Sequence, residues 1–119
     1  MDQVAYNINL LNKAFQGSGF SFRLYASLRR NNDDYYYALP GSDEEFEMKE
    51  RLRFGGVDVL NVFSTGIDEL GELGSATFPW FAASNPTLDA VMIGSGTVPG
   101  GSSAPFNLGY TLVHEVGHW

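Results

Sequence analysis

The chain contains no cysteine, which excludes disulfide bonds, thiol catalysis and Cys-ligated zinc together. That absence says nothing about redox compartment. Basic residues are few: seven Lys and Arg stand against fourteen Asp and Glu, a net charge of -7. Such a surface repels phosphate backbones and anionic lipid, which argues against nucleic-acid and membrane partners. No run approaches the roughly 18 apolar residues of a membrane span. The opening MDQVAYNINLLNKAF lacks both the basic start and the continuous apolar stretch of a secretory signal. Histidine occurs only twice in 119 residues, and both copies lie in the closing stretch TLVHEVGHW.

What is present is enough to fold. Hydrophobic residues make up 44% and aromatics 14%, a globular rather than a disordered composition, and the length suits one domain with one core. Val4, Ile8, Leu11 and Phe15 recur at helical spacing, with Gly17 as a stop. GFSFRLYA alternates Phe20, Phe22 and Leu24 against polar neighbours, which predicts a strand, and Tyr35 to Leu39 suggests a short one. Ser42 with Glu45 forms a capping box, and Glu45/Lys49 and Glu47/Arg51 are i,i+4 pairs, so residues 43 to 53 are expected to be helical with a solvated charged face. VDVLNVFST suits a central strand covered on both faces. Residues 66 to 88 are expected to be mostly loop, with a short strand near Ala76 to Phe78. DAVMIGSG reads as a last strand, and Asn107 is placed to cap a final helix through Trp119. The order predicts an α/β (α+β) fold with a mixed sheet, a helix starting near residue 2 and another still running at Trp119. Met48 and Met92 are core candidates. The Tyr35 to Tyr37 run serves either packing or a sugar or peptide platform, and Trp80 with Phe81 either plugs the sheet or lines a subsite.

The chemistry concentrates in His114, Glu115 and His118, the pattern H-E-x-x-H. On a helix the two histidines lie one turn apart on one face, so their imidazoles can converge on one Zn2+ at about 2.0 to 2.1 Å. Glu115 stands beside them as a general base for a water that the ion acidifies, which then attacks a peptide carbonyl. A catalytic zinc ordinarily takes three protein ligands, and no third histidine exists here. Asp89 and the pair Glu69 and Glu72 are nominal carboxylate ligands. Gly117, within the expected helix, costs roughly 1 kcal/mol against Ala and hints at close packing or a close approach of backbone there.

HEVGHW, preceded by GSGTVPGGSSAPFNLGYT, resembles the active-site approach of pappalysin-like metzincin zinc endopeptidases, in particular a secreted fungal branch. DQVAYNINLLNKAFQGSGFSFRL, MKERLRFGGVDVLNVFST, ATFPW and DAVMIGSG follow the same family order, so the likeness covers nearly the whole chain. Metzincins extend the motif to H-E-x-x-H-x-x-G-x-x-H and add a methionine turn beneath the site. The resemblance implies that His114 and His118 are zinc ligands and Glu115 the base. It implies that Asp89, Ala90, Val91, Met92, Ile93 and Gly94 form an edge strand on which extended peptide substrate pairs, although a plain sheet edge reads the same way.

It further implies that residues 1–119 are a single partial catalytic domain, the sheet-bearing upper subdomain of a secreted protease. The turn glycine, third histidine and methionine turn would belong to a C-terminal subdomain beyond Trp119. The expected activity is Zn2+-dependent hydrolysis of peptide bonds in protein substrates, weak or absent in this chain by itself. The alternative is a noncatalytic α/β module that binds peptide or a partner chain, with a degenerate zinc site.

Overall fold

The computed structural model describes residues 3–119. Helix α1 spans Gln3–Ala14; its expected start at residue 2 lies outside the described residues. The predicted stripe supplies its inner face, with Leu11 buried, Ile8 and Phe15 half-buried and Val4 at the rim. Gly17 takes a φ of 85°, a left-handed conformation that ends the helical path.

The expected strand at residues 20–25 does not form, and residues 20–32 have no regular structure. The side chain of Asn12 explains why. Its Oδ1 accepts the Phe22 N–H at 2.6 Å and its Nδ2 donates to the Phe22 carbonyl at 2.9 Å, so both backbone groups that a neighbouring strand would use are taken by α1. Phe20 and Leu24 point to water, 68% and 50% exposed, and the alternation therefore has no buried face. Where a second short strand was expected, Asp33–Tyr36 forms one helical turn, α2, because Asn32 caps it by accepting the Tyr35 N–H at 3.2 Å.

Helix α3 spans Asp43–Leu52 and begins at the predicted cap: Ser42 Oγ accepts the Glu45 N–H at 3.2 Å. Glu45 reaches back one residue further than in a capping box and accepts the Gly41 N–H at 2.5 Å. Its charged face is only half solvated. Glu45 and Lys49 are 3% and 4% exposed and pair at 2.7 Å, whereas Glu47 and Arg51 meet at 3.1 Å in water.

Strands β1 (Val62–Thr65), β2 (Gly74–Ala76) and β3 (Val91–Gly94) form a mixed sheet in the order β1-β3-β2, with β3 parallel to β1 and antiparallel to β2. The α/β class holds, but the centre and edge are exchanged. VDVLNVFST yields an edge strand whose Val62 is 40% exposed, while Val91, Met92 and Ile93 are 0%, 0% and 3% exposed. A run that is apolar on both faces belongs in the middle of a sheet, and Val91-Met92-Ile93 is the purer run. Val91 and Ile93 face Leu11, Val98, Leu112 and Val116 on one side; Met92 faces Met48 and Ile67 on the other. The sheet thus lies between α1 with the C-terminal helix α5 (Tyr110–His118) and α3. The segment between β2 and β3, expected to be loop, coils into α4 (Pro79–Ser84) behind a proline at its first turn.

Two stability predictions follow from these elements. Lys49→Met leaves the buried Glu45 carboxylate without its cation and is expected to cost about 3 kcal/mol, whereas Arg51→Met in the solvated pair should cost no more than about 0.5 kcal/mol. Urea unfolding of both variants measures the difference. Gly117, in α5, has nothing within 4 Å of a built Cβ, contrary to the close approach expected of it. Nothing in the structure explains a glycine there, so Gly117→Ala should stabilise the chain by about 0.5 to 1 kcal/mol in the same assay.

Candidate metal centre

The approach to α5 is a glycine-rich loop that would be slack if Asp68 did not tie it down. Asp68 Oδ2 accepts the Gly96 N–H at 3.0 Å and the Ser103 hydroxyl at 2.5 Å, and the Ser103 N–H in turn donates to the Gly96 carbonyl at 3.0 Å. Asn107 does not cap the helix as expected; its Nδ2 donates to the Gly101 carbonyl at 3.0 Å and closes the loop instead. Gly109 starts the helix with a φ of 87°, and a Cβ there would sit 2.5 Å from Leu10 Cδ2, so the turn is restricted to glycine.

Leu112 and Val116, each 5% exposed, are the buried pair of α5. Two residues further along the helix lie about 200° round its axis, which sends His114 and His118 to solvent. Their Nε2 atoms stand 3.1 Å apart, with ring centroids at 4.7 Å and planes at 83°. Two nitrogens bound tetrahedrally to one zinc at 2.0 to 2.1 Å would be about 3.3 Å apart, so the pair fits such an ion by its own geometry. Glu115 lies at the border between the buried and open faces, half-buried, and packs so closely on β2 that a Cβ on Gly74 would be 2.9 Å from Glu115 Cγ. Burial pushes its carboxyl above the ordinary range, while the neighbouring His114 and His118 pull it down. Leu73, Gly74, Tyr110, Thr111, His114 and Glu115 line an open cleft at this point.

The structure brings His114, Glu115 and His118 together and separates the other expected site residues from them. β3 is not an edge strand: Val91 N–H donates to Asn61 on one side and Gly94 N–H to Leu73 on the other, both at 2.8 Å. Ala90, Val91, Met92, Ile93 and Gly94 therefore offer no free row of backbone groups for a peptide. The free edge beside the cleft belongs to β2. Asp89 is buried, its Oδ1 accepting the Trp119 indole N–H at 2.8 Å and its Oδ2 facing Arg53 at 3.4 Å, so it ties down the end of α5 and is no third ligand. Glu69 lies against Tyr37, whose phenol it pushes above its ordinary pKa by its charge and by a hydrogen bond. Among the described residues no group of three His, Cys, Asp or Glu gathers round one point.

Three residues near the site escaped sequence reasoning. Gly74 matters only through its lack of a side chain. Arg53 donates to the Asp89 carbonyl at 2.9 Å, and nothing in its helix-end position announced that. Phe78 meets His118 edge-on, with centroids 5.0 Å apart, and Trp80 stacks on Phe78 at 4.8 Å. Trp80 is 73% exposed and so plugs nothing; the clue was the Phe-Pro-Trp order itself, in which the proline fixes the spacing of two rings.

No family model matches the chain, and no solved structure matches it. Curated proteins do. Proteins named extracellular metalloprotease from Arthroderma benhamiae and Trichophyton verrucosum are each 40% identical over 123 residues, covering 99% of this chain and 40% of their own length. Extracellular metalloprotease 1 of Coccidioides posadasii is 40% identical over 115 residues, covering 94% of this chain and 40% of its own length. The chain thus spans about 40% of the length of the curated relatives it matches.

Proposed function

We propose that this chain is the helix-and-sheet part of the active-site cleft of an extracellular zinc metalloendopeptidase of pappalysin type. The observation that carries the reading is the convergence of His114 Nε2 and His118 Nε2 at 3.1 Å, with Glu115 on the same helix at the cleft wall. Similarity to proteins named extracellular metalloproteases supports it, as does the H-E-x-x-H spacing of His114, Glu115 and His118.

When bound, Zn2+ supplies Lewis acidity, polarising a peptide carbonyl and lowering the pKa of water toward about 7. The chain's own residues do the rest. His114 and His118 would hold the ion through Nε2, the atoms that converge on each other. Glu115, at the cleft wall, would take the proton from the attacking water and return it to the departing amine. The outer edge of β2, at Gly74, aligns an extended substrate through main-chain hydrogen bonds beside Glu115. Among the described residues no third His, Cys, Asp or Glu joins the pair, so this reading requires a third protein ligand from elsewhere. A noncatalytic module that uses the same β2 edge to bind peptide is the second reading, favoured by the two-histidine donor set of the described residues.

Titration calorimetry with Zn2+ is expected to find weak binding in the 119-residue chain, abolished by His114→Ala or His118→Ala. Tight binding that survives both substitutions would defeat the metal assignment. In the full protein, Glu115→Gln should retain zinc yet lose about 100-fold or more in casein hydrolysis. Hydrolysis unchanged in that variant would leave the noncatalytic-module reading for this helix.

A further inference from the structure

A pair of histidines on an open helix face is a poor grip unless something stops the rings from turning. His118 is exposed and its ring, left alone, would sample several rotamers. Its ring has an aromatic neighbour from another element. Phe78 approaches it at 5.0 Å with planes at 83°, an edge-to-face geometry that favours one ring orientation over others. Phe78 is itself held on both sides. The next residue is Pro79, which confines Phe78 to an extended backbone, observed at φ -77° and ψ 153°. The preceding Thr77 is buried and fastened to the start of β3: its N–H donates to the Ala90 carbonyl at 3.1 Å and its hydroxyl to the Leu88 carbonyl at 2.9 Å. Above, Trp80 lies parallel to the Phe78 ring, 4.8 Å away and tilted 9°. The Phe78 carbonyl accepts the N–H groups of Phe81 and Ala82, both at 3.0 Å, which fixes the shoulder from which the ring projects.

From this chain of contacts we infer that Phe78 is a positioning residue, braced by Trp80, that holds the His118 ring with Nε2 turned toward His114 before any ion arrives. The ring touches neither substrate nor metal; it acts by limiting what His118 can do. The inference rests on the reading of His114 and His118 as metal ligands. Its consequence is a metal affinity set partly by a residue forty positions away in sequence. An edge-to-face contact of this kind corresponds to about 2- to 12-fold in an equilibrium constant, and residues that orient ligands typically change metal affinity by about 10- to 100-fold.

The test uses the 119-residue chain and Zn2+ alone, with titration calorimetry for affinity and proton NMR on the metal-free protein for ring contact. Phe78→Ala is expected to weaken Zn2+ binding about ten-fold and to abolish the nuclear Overhauser contact between residue 78 and the His118 ring protons. Phe78→Tyr, which keeps the ring, should restore both to within about two-fold of the parent. Parent-like affinity in a folded Phe78→Ala protein overturns the inference, as does full rescue by Phe78→Leu, which fills the space without a ring. If Phe78→Ala fails to fold, Trp80→Ala decides, since that side chain is 73% exposed and removes only the brace. It should lower affinity about three-fold, and no change there overturns the role. The two readings fail separately: unchanged binding in His118→Ala removes the metal assignment. Binding lost in His118→Ala but kept in Phe78→Ala removes only the positioning role.

Discussion

The burial of Leu112 and Val116 orients everything at the site. These two side chains sit on the core made by Leu11, Val91 and Ile93, and once they are seated the helix has no rotational freedom left. His114 and His118 follow at two residues' offset and must face away; Glu115, one residue from Val116, must fall on the border. One hydrophobic constraint therefore assigns an open face to the two histidines and a half-buried, pKa-raising position to the carboxylate. A helix turned by one residue would either bury Glu115 with Thr111 or, turned the other way, leave Glu115 facing water.

The sheet contributes by where it stops. Because Val91-Met92-Ile93 is apolar toward both layers, β3 takes the middle, and β2 is left as the strand next to α5. Gly74 then lets the helix come close enough for Glu115 to lie on the strand, since any Cβ would collide with both Glu115 and Thr111 at 2.9 Å. The same contact opens a cleft whose wall is a free strand edge. The far end of the helix is held by a different device, in which Arg53 and Asp89 join the end of α3 to Trp119. The loop leading in is pinned by Asp68, and so the helix is fixed at both ends by carboxylates that do no chemistry.

Much of this was legible in the residues. The H-E-x-x-H spacing, the Ser42 cap, the α1 stripe and the core places of Met48 and Met92 all depend on local periodicity or on nearest-turn contacts, which a sequence displays directly. The α/β class followed from element order. What failed depended on partners distant in sequence. GFSFRLYA has a strand's alternation, but Asn12 claims its backbone groups. Two strand-like runs could each have been central, and only the packing of α3 against one face and α5 against the other settles that β3 is. Asp89 read as a nominal ligand because acidity is visible in a sequence, whereas burial against Trp119 and Arg53 is not.

The proposed division of labour between the two histidines and a third ligand also has a physical logic. Two imidazoles one turn apart on a single helix are cheap to align, because the backbone already fixes their roots and only side-chain torsions remain. Such a pair would supply two of the three protein ligands that a catalytic zinc ordinarily takes. A ligand from a separate element restricts the ion far more, since it closes a chelate between two parts of the fold, and its arrival converts metal binding into folding free energy. The side-chain torsions of the helical pair are the one quantity that this chain controls by itself. The Phe78 and Trp80 rings stand at the point where that control can be exerted, against His118, whose position at the end of the helix leaves it with the least help from the backbone.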